Sequence, residues 1–227
     1  SDVCSSDLLI IFRKIKVLKG KFDADELRHN IGNGERGFHP REAKNINTWA
    51  ARMKTFVSGP DGALGTADDR RAYIRLGHEM NGDWYPWGAA LGNNTPADYV
   101  AMWRRVVGIF RTQGMGSSHV QWVWCVNNTD VGGFTAESYY PGNAYVDWVA
   151  IDGYNWGASQ TWSTWKSPAQ IYDSMIARVR AIAGTKPLAL TEFGTTSATT
   201  SGSSVTMKST WISDRSEEHT SESSHRT

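Results

Sequence analysis

Two glutamates invite chemistry, because each closes a short apolar run with a carboxylate that a core does not want: Glu79 in LGHEMNG and Glu192 in LTEFG. The first sits in RAYIRLGHEMNGDWYPWG, residues 71–88, where His78, Asn81, Trp84, Tyr85 and Trp87 crowd around it. A carboxyl group beside indole and phenol faces suits sugar chemistry: the acid gives a proton to a departing oxygen while flat rings stack on the apolar face of a pyranose. The plainer reading is a strand end held by a hydrogen-bonded His and Glu, with the aromatics packed as core. A second carboxylate in a matching setting favours the chemical reading. Glycoside hydrolysis with retention uses two carboxyls about 5 to 5.5 Å apart, one to protonate the leaving oxygen and one to attack the anomeric carbon. Glu79, beside His78 and apolar rings, suits the proton-holding role, whereas Glu192 needs donors that keep it charged.

The helpers follow from position. Arg75 precedes Glu79 by four residues, so strand alternation puts both on the inward face if the strand continues that far. There the guanidinium can orient and ionise Glu192, with Tyr154 as a second donor; a salt bridge that supports the sheet is compatible with that role. His78 can donate to a substrate hydroxyl, orient the acid, or be a structural histidine, and Asn81 is a weaker donor candidate. Trp84, Trp87 and Trp156 are the expected stacking platforms, with Trp124 as core or subsite floor. Any one of these rings fits a core; their collection just beyond strand ends is what informs. Asp152 can bind a hydroxyl, but an acid that opens a loop after a strand is expected first to cap its own turn. No His/Cys cluster has metal-ligand spacing and no GxSxG elbow is present, so this chemistry calls for no metal and no cofactor.

The elements that must position these groups alternate. Tyr73 to Leu76, Val120 to Val126, Asp147 to Ile151 and Lys186 to Thr191 read as short buried strands, each emptying into polar or aromatic residues. Leu9 to Val17 is a looser strand, its period spoiled by basic residues at 13, 14 and 16, and Lys21 to His39 is a connector. Pro40 to Val57 reads as a helix with Ile46, Trp49, Ala50, Met53, Phe56 and Val57 on one face. A second helix opens with Thr95, Pro96 and Asp98, carries Tyr99, Met102, Trp103, Val106, Val107 and Phe110 as its stripe, and stops at Gly114. A third is capped by Ser167 and Gln170, lined by Ile171, Met175, Ile176, Val179 and Ile182, and ended by Gly184. Residues 58–69 form a turn-rich loop whose Asp61, Asp68 and Asp69 lack EF-hand spacing and read as solvated rather than as calcium ligands. Thr129 to Tyr145 is a loop over one rim, and a short helical piece is expected around Met207 to Ile212. This order predicts an α/β fold, a partial (β/α)8 TIM barrel comprising about strands 3 to 7, with its chemistry at the C-terminal mouth. The competing doubly wound sheet would want GxGxxG after an early strand, and that motif is absent.

Composition narrows the partners. With 24 Lys plus Arg against 23 Asp plus Glu, the 227-residue chain carries a formal charge of +1, which nominates neither nucleic acid nor a membrane surface. A neutral polymer is the expected partner, the eleven Trp suit it, and a monomer is expected. Cys4 and Cys125 make no disulfide framework, and Leu8 to Phe12 is broken by Arg13 and Lys14 before it approaches transmembrane length. The opening SDVCSSDL and closing RSEEHTSESSHRT match nothing between them and resemble translated sequencing-adaptor DNA. The expected organisation is therefore a non-native tail at 1–8, an incomplete catalytic barrel at 9–213 and a second tail at 214–227.

From about Gly32 to Met207 the chain resembles glycoside hydrolase family 26, whose typical members are secreted bacterial β-mannanases built on a (β/α)8 barrel. Tyr73 to Gly88 is similar to the family's segment at the end of strand four, which implies Glu79 as acid/base and His78 as a substrate-binding partner. Asp147 to Trp156 resembles the strand-six region and implies Tyr154 as the hydrogen-bond partner of the nucleophile. Lys186 to Gly194 resembles the strand-seven segment and implies Glu192 as nucleophile. The resemblance implies a retaining endo-β-1,4-mannanase, exported in the full-length protein, with mixed-linkage β-1,3-1,4-glucan and β-1,3-xylan as alternative substrates. A noncatalytic carbohydrate-binding fragment is the rival of a different class; aromatics would suffice for it and both glutamates would be dispensable. The family barrel has strands before and after this stretch.

Overall fold

Local capping fixes where the helices begin. The computed structural model describes residues 40–91, 93–199 and 202–221. Helix α1 spans Pro40–Val57 and leads to strand β1, Ala72–Ile74. Helix α2, Pro96–Thr112, opens with a complete capping box: the Asp98 amide donates to Thr95 Oγ1 at 3.2 Å and the Thr95 amide to Asp98 Oδ2 at 2.8 Å. Strand β2 is Val120–Asn127, β3 is Trp148–Asn155, and α3, Pro168–Ala183, starts with the same device between Ser167 and Gln170. Strand β4 is Leu188–Thr195, followed by a small hairpin, β5 Ala198–Thr199 with β6 Gly202–Ser203, and helix α4, Val205–Ser221. Replacing Thr95 with Ala should cost about 1 kcal/mol of stability, read as a lowered urea midpoint at unchanged slope.

The sheet has the order β1-β2-β3-β4 and every neighbouring pair is parallel. It curls as a half-barrel, with helices on its outer side. Trp122 and Trp124 point outward from β2: Trp122 meets Phe110 of α2 with ring centroids 5.0 Å apart, and Trp124 meets Tyr140 at 5.0 Å. Trp49 of α1 packs edge-on against Phe110 at 4.7 Å. The opposite, inward positions hold a smaller cluster of Val123, Cys125, Ala150 and Ala189, with Tyr73 and Trp148 beside it. This alternation assigns Trp124 to the helix-facing core, not to a subsite floor.

Strand boundaries depart from the sequence reading in an instructive way. Strand β1 stops at Ile74 instead of reaching Leu76, so alternation does not carry Glu79 inward; a turn does. Strands β3 and β4 run on to Asn155 and Thr195, which makes Asp152, Tyr154 and Glu192 strand members. A register irregularity at Ile151/Asp152 pairs Ile151 with Leu190 but Asp152 with Glu192, leaving Thr191 extra on β4. Through that irregularity two successive side chains, Thr191 and Glu192, serve the same inward network.

The loops are tied by named groups. In the 58–69 loop Asp68 accepts from the Asp61 amide and the Thr66 hydroxyl, while Asp69 accepts from the Gly65 amide and faces His119 Nε2 at 3.0 Å. These acids brace turns. The 129–145 loop contains two 3-10 turns, Ala136–Tyr139 and Asn143–Tyr145, and Arg178 of α3 grips it through Asp130 and Glu137. Helix α4 is longer than the expected piece at 207–212, and its buried Trp211 donates to the Lys166 carbonyl at 2.9 Å. The expected strand at 9–17 and connector at 21–39 lie outside the described residues, among which no helix is long and apolar enough to cross a membrane.

Candidate active site

Glu79 reaches the sheet's C-terminal end through a tight turn whose backbone is left-handed at both Gly77 (φ 52°) and Glu79 itself (φ 53°). A non-glycine residue in that region costs energy and survives only where surroundings over-determine it. The surroundings do so here: the Glu79 amide donates to Cys125 O at 2.9 Å, Tyr99 Oη to Gly77 O at 3.1 Å, and the Trp87 indole to His78 O at 2.7 Å. The Glu79 carboxylate then accepts from Trp84 Nε1 at 2.8 Å on one oxygen and from Asn127 Nδ2 at 3.1 Å on the other. Gly82 makes room for this, since a Cβ there would lie 2.5 Å from the Trp84 ring. Glu79 and its neighbour His78 are both buried.

Glu192 sits at the far edge of the sheet on β4, with its side chain 32% exposed. Arg75 Nη2 donates to its Oε1, and Tyr154 Oη to its Oε2 at 2.7 Å. Partial burial pushes the Glu192 carboxyl up, but the bonds from Arg75 and Tyr154, with the charges of Arg75 and His78, outweigh it and hold the group below its ordinary value. Its ionised form therefore adds stability that is present above the unfolded pKa and lost as pH falls through the lower folded one. Tyr154→Phe removes a donor, so the Glu192 titration should move to higher pH, measurable in the carboxyl 13C shift or the acid limb of kcat/KM.

Arg75 is shared. Its Nη1 donates to Asp152 Oδ2 at 2.6 Å and lies 3.4 Å from Thr191 Oγ1, while Thr191 Oγ1 donates to Asp152 Oδ1 at 2.6 Å. Complete burial lifts the Asp152 carboxyl to about 6, with the Glu192 charge adding to the rise and Arg75 and Thr191 opposing it. Asp152, expected first to cap its own turn, is instead fully buried and spends its carboxylate on Arg75 and Thr191, anchoring the arginine. Cys125 completes this floor at 3.0 Å from Thr191 Oγ1, a thiol whose pKa burial pushes well up.

Several of the sequence candidates are neighbours through named contacts: Arg75 and Tyr154 with Glu192, and His78 with Tyr85. The charges of Glu79 and Glu192 both bear on the phenols of Tyr85 and Tyr154, and burial with those charges pushes Tyr85 up to about 12. His78 Nε2 lies 3.1 Å from Tyr85 Oη. Trp84, Tyr154 and Trp156 are open to solvent. Two candidates change role. Trp87 is buried, stacked on Tyr85 at 4.4 Å with its indole spent on a carbonyl, so it supports the rim from beneath. Asn81 is buried too, and its amide is consumed: Oδ1 accepts from the Asn127 amide, and Nδ2 donates to Asn127 O and Asp130 Oδ1. Asn127, at the end of β2, and Thr191, within β4, carry no role in the sequence reading, and Tyr85 is named there beside Glu79 without one.

His78, Asp152 and Glu192 offer ligand atoms within 4.8 Å of one another, the one such group among the described residues. Arg75 already bonds both carboxylates, so the position a divalent ion would need is held by a guanidinium.

Comparisons with known proteins identify relatives. The chain is 40% identical over 157 residues to "Endoglucanase H" of Acetivibrio thermocellus, covering 65% of this chain and 16% of that protein. It is 36% identical over 121 residues to "Mannan endo-1,4-beta-mannosidase A and B" of Caldalkalibacillus mannanilyticus, covering 52% of this chain and 20% of that one. The chain thus spans about a fifth or less of these relatives. A modular endo-β-1,4-mannanase from Cellulomonas fimi superposes with a TM-score of 0.54 at 26% identity, over 82% of this chain and 38% of its own. The sequence profile of Glycosyl hydrolase family 26 matches residues 70–204, which contain both glutamates, Arg75 and Tyr154. The chain belongs to glycosyl hydrolase family 26.

Proposed function

We propose that this chain carries the catalytic centre of a retaining endo-β-1,4-mannanase, on about strands 3 to 7 of a (β/α)8 barrel. The observation that supports the reading is Glu192, a carboxylate held below its ordinary pKa by Arg75 and Tyr154, whose charge acts together with that of the buried Glu79 on the phenols of Tyr85 and Tyr154. Glu192 attacks the anomeric carbon as Glu79 protonates the departing oxygen; the resulting glycosyl ester is then hydrolysed by water that Glu79 deprotonates. His78 and Tyr85 present hydrogen-bonding groups to sugar hydroxyls, and Trp84 and Trp156 offer rings for stacking. The proposed partner is a neutral extracellular polysaccharide met by an exported, monomeric protein.

Following the anomeric proton signals of the first products by NMR tests the mechanism: the β-configuration should appear first in the full-length protein, and an initial α-product would overturn it. A second reading, mixed-linkage β-glucan as substrate, draws on the 40% identity to a protein named an endoglucanase, although the match covers only 16% of that molecule. Assays on mannan, mixed-linkage glucan and β-1,3-xylan decide between them.

A further inference from the structure

Trp162 is 70% exposed, more than any other tryptophan among the described residues, and the sequence reading gave it no role. A lone exposed ring needs no explanation. This one ends a series: Tyr154, the donor to Glu192, lies 5.5 Å from Trp156, and Trp156 lies 6.1 Å from Trp162, centroid to centroid. The exposure grows outward along it, from 37% to 43% to 70%.

The loop that presents Trp162 is built firmly at its base. Asn155 Oδ1 accepts from the amides of both Gly157 (3.2 Å) and Lys166 (3.1 Å), closing the loop on itself, while Asn155 Nδ2 donates to Thr195 Oγ1 at 2.9 Å. Trp211 holds the Lys166 carbonyl from the other side. Gly157 takes φ 49° against the Ala198 carbonyl, where a Cβ would collide. At the tip, Ser163 N donates to Gln160 O at 3.1 Å, so Trp162 rides a tight turn on an anchored stem. A fixed loop that leaves its largest apolar side chain in water forgoes burial that the nearby Trp165, packed against the core, does obtain. Residues 154–165 contain no charged side chain and are rich in Asn, Gln, Ser and Thr. Rings with amides and hydroxyls between them match the alternating apolar faces and hydroxyl edges of a neutral sugar chain, and bring no charge to pair with a phosphate or a carboxylate.

We infer that Tyr154, Trp156 and Trp162 form an aromatic path on which the β-glycan continues away from Glu192, with Trp162 stacking a sugar unit beyond those held between the two glutamates. This rests on the proposed function and extends the same cleft. Trp162 is then a determinant of how long a glycan the protein prefers.

The test uses the full-length protein with Glu192→Ala, so that bound glycans survive, and isothermal titration with manno-oligosaccharides and mixed-linkage gluco-oligosaccharides from tri- to hexasaccharide. Affinity should rise with length. Adding Trp162→Ala should lower hexasaccharide affinity about tenfold, or ~1.4 kcal/mol, with less than about a twofold change for the trisaccharide, and Trp162→Phe should restore most of it. Length-dependent binding that Trp162→Ala leaves intact overturns the aromatic path while the proposed function stands. If neither series binds at any length, the proposed function falls, and the path with it.

Discussion

Replacing Glu192 with alanine is expected to reduce turnover by about six orders of magnitude, the scale of loss when a covalent route is closed and only binding and electrostatics remain. The residue sits at the sheet's edge with a third of its side chain exposed, and Arg75 keeps Asp152 and Thr191 as partners once the carboxylate is gone. Folding should therefore survive, and glycan binding with it. Circular dichroism and titration calorimetry on the variant check both. Undiminished hydrolysis would remove Glu192 as the nucleophile.

Replacing Glu79 with alanine should cost about 10² to 10⁴ in kcat/KM on a polysaccharide, the range of general acid catalysis. The loss should depend on the leaving group. A glycoside whose aryl oxide departs without protonation should form its glycosyl ester at close to the normal rate, then stall because no base activates water. A burst of aryl oxide followed by slow turnover is the expected trace, and added azide, which needs no base, should speed the second phase. Equal losses on activated and natural substrates would mean that Glu79 only holds Trp84 and Asn127 in place.

The sequence reading succeeded where structure is encoded locally. The capping residues of α2 and α3 are legible, Ser167 with Gln170 as a box and Thr95 with Asp98 as a cap and a first-turn acid, because they lie three positions apart in the chain. The ends of β3 and β4 lie beyond the expected ones because inward-facing Asp152, Tyr154 and Glu192 look like loop residues until a second strand supplies their partners. The register irregularity that brings Thr191 and Glu192 together exists only in the pairing of β3 with β4, so no window of sequence contains it. Asn81 is ambiguous for a different reason: a carboxamide offers the same donors and acceptor to a sugar as to a backbone, and only the fold shows that Asn127 takes them.

That same Asn81 amide ties the turn after β1 to the end of β2, and through Asp130 and Arg178 to helix α3. For recombination between related enzymes, these pieces form one inheritable cassette. A chimera that imports the HEMNG segment without its matching Asn127 and Asp130 would strand buried donors and acceptors together, and would misplace the Glu79 carboxylate by removing its Asn127 support. Crossovers placed in the exposed 58–69 loop and after α3 keep the cassette whole.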